Sequence, residues 1–356
     1  MFSPKYTISN TVLKNIGVID ASKELIASFA ISKTWKEKLA QDAEEELIFY
    51  ALSLEGIKLP EDYFSSSKEQ TPDNQGSNIA ASNFFNTLKS LREIRKQFEE
   101  TNTYFLTQDT LLNLHATLSQ DLIQADQAGQ YRTRQLAIKN ILNGEVVYSP
   151  PPSAEVPYLV EDLINFINSP EGKDLHPIIK AGVVQFEVYS VHPFAQFSNS
   201  VGLFLATLLL YLDGYGVEDA LSFTEYFDAT LTDYYKIMQS CARESLKETD
   251  ERDITVWLEY FVKGVTLKIL ELKEKIERVA KDSHARDYLG EKVELTERQV
   301  MILDYLKKHG SMRNKDFRKI FPDFSDDTVL REVKFLKKKG LVKKEGNTKK
   351  ATYVLA

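Results

Sequence analysis

The sequence predicts a mainly α-helical protein that ends in a small mixed α+β module. Three observations carry that expectation. Seven segments within residues 43–282 space their apolar side chains three and four apart, the period of a helix with one buried face. One stretch, "QLAIKNILNGEVVYSPPP" (135–152), breaks the rhythm with β-branched residues on both sides of Asn143-Gly144. Residues 295–356 then read as three short helices followed by two strands.

The helical segments are "AEEELIFYALSL" (43–54), "NFFNTLKSLREIRKQF" (83–98), "QDTLLNLHATLSQDL" (108–122), "VPYLVEDLINFINS" (156–169), "IIKAGVVQFEVYSV" (178–191), "VGLFLATLLLYLDG" (201–214) and a long charged one over 253–282. Between the first two, "SSSKEQTPDNQGSN" (65–78) is polar and turn-forming and reads as a mobile loop. Asn143-Gly144 tolerates positive φ, so 135–152 reads as a tight hairpin whose second strand ends at three prolines. Val201–Leu212 is the most apolar run; it is too short to cross a bilayer and reads as a buried helix. Polar, aperiodic "DSHARDYLGEKVE" (282–294) reads as a linker.

Beyond the linker, Thr296 caps "LTERQVMILDYLKKHG", "MRNKDFRKIF" gives a short second helix, and Pro322 and Ser325 mark a turn. "DDTVLREVKFLKKKG" gives a third helix closed by Gly340, and "LVKKEGNTKKATYVL" gives two strands around Gly346-Asn347. That is the order of a winged helix-turn-helix.

Composition bounds the function. At 356 residues, 43% hydrophobic and 27% charged, the chain has room for two or three ordinary globular domains. Cys241 is the only cysteine, so no intramolecular disulfide and no cysteine zinc site is expected, which fits a reducing cytoplasm. The N-terminus lacks the basic start and apolar core of a signal peptide, and a cytoplasmic protein with no membrane role is expected. The net charge of −7 is divided: residues 296–356 carry +8 and the first 295 residues −15. A basic tail on an acidic body points to a polyanion partner for the tail.

The central stretch is "HPFAQFSNSVG", His192 to Gly202. An apolar helix ends near His192 and another begins after Asn199, and unpaired N–H groups at a helix start, with the helix dipole, make an anion site. His192 beside such a site has the chemistry of a general base toward a hydroxyl attacking phosphate. The plainer alternative is a His-Pro pair that ends one helix and caps the next. Of the other histidines, His115 reads as a packed helix residue, His176 precedes Pro177 at a helix start, and His284 and His309 fall in a linker and near a helix end. No pair has metal-site spacing, and no structural metal is expected.

The loop and its surroundings resemble the Fic family, whose signature is HPFx[D/E]GNGRxxR and whose members mostly transfer AMP from ATP to protein hydroxyls. "LTQDTLLNLHATLSQDL" with "AGQYRTRQLAI" is similar to the family's helix and its entry to a flap, "VYSPPPSAEVPYLVEDLINFIN" to its proline-rich segment and next helix, and "HPIIKAGVVQFEVYSVHPF" to the helix that delivers the histidine. "NFFNTLKSL", with Asn86, is similar to an earlier family helix. The resemblance covers roughly residues 40 to 280. It implies a Fic-type helical core at 111–281 with a small β-hairpin flap, behind an N-terminal helical region at 1–110 and ahead of a winged helix at 295–356.

The departures define the site. His192, Pro193, Phe194, Ala195 and Gly202 match the signature. The acidic position that helps hold Mg²⁺ is Gln196, the GNG positions are Phe197, Ser198 and Asn199, and the two arginines become Ser200 and Leu203. Glutamine brings no charge to Mg²⁺, and the lost arginines remove the forked donors that offset phosphate charge. The resemblance therefore implies ATP and Mg²⁺ as cofactors, while these residues predict weak or absent AMP transfer, with His192 as the remaining base and Ser198, Asn199, Ser200 and Gly202 as the remaining anion seat. Two readings stand: a weakened protein adenylyltransferase, or a non-catalytic Fic scaffold that senses a ligand or protein.

Two further features follow from the resemblance. "YALSLEGIKL" (50–59) is similar to the family's inhibitory helix, S/T-x-x-x-E-G/N; Glu55 and Gly56 match, while Ala51 stands at the Ser/Thr position and a serine sits at Ser53. With Leu203 in place of the arginine that this glutamate pairs with, Glu55 is expected to cap or pack. Leu136, Ala137 and Ile138 are similar to the flap strand that aligns a target peptide by edge pairing, or they form an ordinary covering hairpin.

In the tail, Val329, Val333 and Leu336 give an apolar face and leave Thr328, Arg331, Lys334 and Lys338 toward solvent, the geometry of a helix read into the major groove. Lys343, Lys344, Lys349 and Lys350 would form a basic wing. The segment resembles winged helices of bacterial and archaeal regulators, so DNA is the expected partner and a symmetric homodimer the usual way such a tail gains affinity. Asp326 and Asp327 at the helix start oppose phosphate while favouring the dipole.

Overall fold

The structure is a computed structural model that describes residues 2–29, 31–64, 75–101, 104–217, 219–242, 253–287, 295–321, 324–346 and 352–356. It divides into two compact units, Met1–Ala280 and Lys281–Ala356, each with its own apolar core.

In the first unit, α1 (Asn10–Ser28) is capped by the Ser9 side chain and buries Val12, Ile16, Ile19 and Ile26. The sequence reading passed over this helix, although the Ser9 cap and those isoleucines were its signal. Helix α2 (Lys33–Leu54) starts ten residues before the predicted segment, capped by Ser32. The loop predicted at 65–78 falls mostly outside the described residues, and its last four residues, Gln75 to Asn78, already belong to α3 (Gln75–Thr101). Helix α4 (Gln108–Ser119) begins with a Thr107/Thr110 capping box.

The hairpin is present but smaller than expected. Strands β1 (Ile138–Lys139) and β2 (Val146–Tyr148) pair antiparallel, Ile138 against Tyr148 and Lys139 against Val146. The turn is wider than two residues: Gly144 N donates to Asn140 O at 2.8 Å, with Gly144 at φ 74°. A side chain is disfavoured at that φ, which is why the reversal falls on the glycine.

After the prolines come α5 (Val156–Asn168), α6 (Pro170–Asp174), α7 (Pro177–Val191) and α8 (Ser198–Leu212). Helices α7 and α8 form the centre of the unit. Every residue of α7 from Ile178 to Val191 is buried, and α8 is buried from Ser200 to Leu212, so both are core helices on all sides. Lys180, 1% exposed, is neutralised by Asp213 at 2.6 Å and donates to Tyr104 Oη at 3.0 Å. The unit closes with α9 (Thr224–Ala229), α10 (Leu231–Cys241) and α11 (Thr255–Asp287). Trp257, fully buried in α11, donates its indole N–H to Gly182 O on α7 at 2.8 Å.

Residues 1–110 do not form a unit of their own: one continuous core runs from Val12 to Ile276, because α2 and α3 bury their apolar faces against the central pair. The predicted linker at 282–294 also changes, since α11 continues through it as far as Asp287; residues 288–294 lie outside the described set.

The second unit has α12 (Glu297–His309), a 3₁₀ turn at Asn314–Asp316 leading into α13 (Phe317–Ile320), α14 (Asp326–Lys338), and strands β3 (Val342–Glu345) and β4 (Thr352–Leu355). The strands pair antiparallel in the register Val342 to Leu355 and Glu345 to Thr352, and Met312 adds a bridge to Tyr353. Three helices and a hairpin follow one another in the order expected from the sequence. Among the described residues, no helix is long and apolar enough to cross a membrane.

Trp257→Ala should destabilise the first unit by about 3–5 kcal/mol, because it opens a cavity and orphans the Gly182 carbonyl. Urea unfolding followed by circular dichroism measures the change.

Candidate functional site

The site is built where α7 hands over to α8. His192 ends α7 in the left-handed region (φ 48°, ψ 64°), its N–H bonded to Val188 O at 2.9 Å. That backbone is disfavoured for a residue with a side chain, so something must hold it. Arg132, only 5% exposed, does so from the stretch after α4. Its backbone N–H donates to Pro193 O at 2.9 Å, Nε to His192 O at 2.8 Å, Nη1 to Arg134 O at 3.1 Å, and Nη2 to Val191 O at 3.3 Å and to Pro151 O. A cation at the carbonyl end of α7 also complements the helix dipole. Arg132 lay inside the segment that resembles the family, yet no role was assigned to it from sequence; a buried guanidinium reaching four carbonyls is a tertiary fact.

Phe194 stacks flat on His115, centroids 3.9 Å apart. His115 Nδ1 accepts the Gly129 N–H at 2.9 Å, and burial pushes its pKa down to about 4. His115 is thus a neutral structural residue, 1% exposed.

His192 itself is 8% exposed, and its Nδ1 has no hydrogen-bond partner. Tyr189 meets its ring edge-on at 6.2 Å, and Tyr148 of β2 lies over Tyr189, donating its hydroxyl to Tyr189 O. Burial first, and the Arg132 charge second, push the imidazole pKa down to about 3. A base that weak accepts a proton poorly at neutral pH.

Helix α8 begins at Ser198, two residues earlier than the sequence placed it. Phe197 occupies the cap position in the left-handed region (φ 60°, ψ 14°) and offers no capping side chain. Its ring is buried and packs edge-on against Phe84. Ser198 Oγ is turned back into the loop, donating to Phe194 O at 3.0 Å and accepting from Phe194 N at 2.9 Å. The first N–H groups of α8 still need an acceptor, and Glu55 supplies one. Its Oε1 accepts both Ser200 N–H at 2.9 Å and Ser200 Oγ at 2.7 Å. Burial raises the Glu55 pKa, while the Ser200 bonds and the Phe197 backbone pull it back.

The predicted anion seat is therefore redistributed. Ser200 is bound to Glu55 and Ser198 to its own loop; Asn199 is half-buried with Oδ1 unpartnered. Gly202 does not belong to an anion site: a Cβ there would meet Gln185 O at 3.1 Å and Val188 Cβ at 3.2 Å, so its role is the close approach of α8 to α7. Gln196 is exposed and carries no charge, and Leu203, 2% exposed, is core. The Ser200 donors are thus taken by Glu55, and Gln196 brings no carboxylate to the loop. Among the described residues, no cluster of three histidine, cysteine or acidic side chains gathers elsewhere as metal ligands.

Glu55 is held in place by the end of α2. Gly56 at φ 78° closes the helix, and Ile57 N bonds back to Leu52 O at 2.9 Å. Only Ile138 of the predicted flap triplet is in a strand; Leu136 and Ala137 are irregular, and Leu136 is half-buried. The β1–β2 loop is tied down by Ile141 N to Tyr235 Oη at 3.4 Å, from α10, a helix the sequence reading also missed.

On the second unit, Arg331, Lys334 and Lys338 of α14 and Lys343 and Lys344 of β3 are exposed. Thr328 departs from expectation: it is half-buried and engaged with the Ser325 cap, Oγ to Oγ at 2.9 Å. Lys349 and Lys350 lie outside the described residues.

Comparison with known proteins agrees with this architecture. Residues 105–210, from the approach to α4 through most of α8, match the Fic/DOC family model. The fold is similar to Fic-1 from C. elegans (TM-score 0.56, 14% identity, covering 77% of this chain and 74% of that one). It is also similar to a Fic domain containing signaling protein from Bacteroides thetaiotaomicron (TM-score 0.57, 17% identity, 75% and 98%). A glutamate-to-glycine variant of the C. elegans protein matches equally well, at TM-score 0.56. Residues 105–210 are thus similar to the Fic/DOC family, and the first unit shares the fold of the Fic-domain proteins it matches.

Two outcomes follow. Glu55→Ala should cost about 1–2 kcal/mol by leaving Ser200 N–H and hydroxyl unpaired in the core, and Glu55→Gln should cost less because it keeps an acceptor; chemical unfolding reads both. The folded His192 pKa of about 3 lies below the unfolded value near 6.5, so its contribution is full above about pH 6.5 and is lost as pH falls toward 3. His192→Gln should flatten the decline in stability between about pH 6.5 and 4 by up to about 1.4 kcal/mol per pH unit.

Proposed function

We propose that this chain is a regulator built on a Fic scaffold, without efficient AMP transfer, whose winged helix binds DNA. One observation carries the first part: the Glu55 carboxylate occupies the N–H and hydroxyl donors of Ser200 at the start of α8, where a transferase of this family needs to hold phosphate. A phosphate there would have to displace Glu55 from Ser200, and the two signature positions that would carry arginines are Ser200 and Leu203. The weak basicity of His192 points the same way.

The DNA-binding part is supported by the exposed Arg331, Lys334 and Lys338 on α14, by Lys343 and Lys344 on the wing strand, and by the +8 charge of residues 296–356. Asp326 and Asp327, exposed at the start of α14, oppose close phosphate approach there and favour contacts made from the middle of the helix.

Incubation with labelled ATP and Mg²⁺ should leave the wild type, His192→Ala and Glu55→Gly unlabelled. Label that requires His192 in the wild type would establish the enzyme instead, and label confined to Glu55→Gly would make Glu55 a brake on a competent site. For the tail, duplex affinity should fall by about two to three orders of magnitude between about 50 and about 200 mM salt. Arg331→Ala with Lys334→Ala should weaken binding by about tenfold or more. Salt-independent binding would remove DNA as the partner.

A further inference from the structure

We propose that the first unit carries a second binding site, apart from the His192 loop, that takes a free organic anion with an apolar body. The proposal is independent of the site around Glu55. Tyr211, in the new site, lies eleven residues along α8 from Ser200, about 16 Å at the helical rise of about 1.5 Å per residue.

A cavity of about 400 Å³ opens where the end of α1, the start of α2, α3, the end of α8 and α11 meet. Proteins hold small organic ligands in cavities of roughly 300–1,000 Å³. The floor is apolar: Ile26, Leu39, Tyr211 and Ile276 line it, and each is buried. An ion without an apolar body would leave that floor wet, so the occupant needs a hydrophobic part.

The polar lining sets the sign of its charge. Lys23, Lys36 and Arg95 stand against the carboxylates of Asp219 and Glu99. Asp219 is already shared by two guanidiniums: Arg95 reaches it with both Nη1 and Nη2, and Arg92 Nε is 3.4 Å away. Glu99 is 64% exposed, so water screens its 3.4 Å approach to Arg95 Nε. Glu24, beside Lys23 at 3.3 Å, is 77% exposed and screened in the same way. The cations themselves are half-buried against rings, Lys23 over Tyr215 at 4.9 Å and Arg95 over Tyr211 at 5.5 Å. Among the described lining residues, positive charge is therefore in excess beside an apolar floor. A carboxylate or sulfonate on an apolar body complements both features, and an organic cation of the same shape meets like charge.

The loop on one side of the cavity is strained. Val217 and Asp219, both in the lining, have φ 49° and 63°, a region disfavoured for residues with side chains and most of all for a β-branched one. The Arg92 and Arg95 ion pairs hold Asp219 there. The Tyr211 ring lies against Gly216, where an added Cβ would fall 2.5 Å from its Cδ1. Strain held in this way is a feature of ligand clamps, and here it stations Arg95 at the cavity wall.

Isothermal titration calorimetry of the full chain with naphthoate tests the proposal, with naphthylmethylammonium and inorganic phosphate as controls for charge and for the apolar body. Naphthoate should bind with a Kd below about 1 mM, and each control at least about tenfold more weakly. Ala27→Trp fills the cavity from an exposed lining position and leaves every cation in place; it should raise the naphthoate Kd by about tenfold or more. Lys23→Gln with Lys36→Gln keeps the volume and removes two charges. It should also raise Kd by about tenfold and reduce the preference over naphthylmethylammonium. Circular dichroism spectra and urea midpoints of both variants should match the wild type, since none of the three positions is buried. Absence of heat with naphthoate, either control binding as tightly, or binding indifferent to either variant would each overturn it.

Discussion

A helix that starts inside a hydrophobic core must find acceptors for its first N–H groups without help from water, and α8 starts in that way. Phe197 cannot cap it, and the Ser198 hydroxyl is already committed to Phe194. The carboxylate of Glu55, arriving from another helix, closes the gap by taking both donors of Ser200. An unmet donor at this depth would cost more than the hydrogen bond itself yields, so the arrangement fixes where α2 must end. The Ser200 donors at this helix start are taken by a side chain of the protein itself.

The position of Glu55 is enforced over the whole length of α2. Leu47, Ile48, Ala51 and Leu52 are buried, and acidic residues on the same helix meet cations elsewhere in the unit: Glu44 with Arg92 at 2.6 Å, Glu46 with Lys268 at 3.2 Å and Asp42 with Lys275 at 2.6 Å. Lys275 is nearly half exposed, so its pair adds little stability; the half-buried pairs matter more for register. Burial raises the Glu46 pKa against the opposing pull of Lys268, a sign that the carboxylate is held in a poorly solvated place by its partner. Arg132 plays the corresponding part on the other side of the site, pinning the His192 turn and the proline segment together while its charge weakens the histidine as a base.

Periodicity was enough to read the central pair α7 and α8, α5, α4 and the tail helices, because their apolar residues repeat over several turns. It was not enough for α9 and α10. Helices α9 and α10 are short, and their buried residues include aromatics that pack on distant segments, Phe227 on Trp257 and Tyr260 and Tyr234 on Tyr189. The hairpin was legible from Asn143-Gly144, yet its loop runs from Ile141 to Gly144 between Asn140 and Glu145, since strand ends depend on what the hairpin packs against. Thr328 illustrates the same limit on the tail: helical spacing pointed it outward, and the Ser325 cap drew it in.

The sequence by itself determined a helical core with a hairpin, a basic tail of three helices and two strands, and a central loop with Gln196, Ser200 and Leu203 in place of charged residues. These are matters of residue type and local period, which chain order preserves. Only the tertiary structure decided that Glu55 sits on Ser200, that Gly202 serves helix packing, and that Arg132 holds the His192 turn. Each of those depends on groups far apart in the chain being brought within a few ångströms, and on the burial that gives a charge or a hydrogen bond its weight.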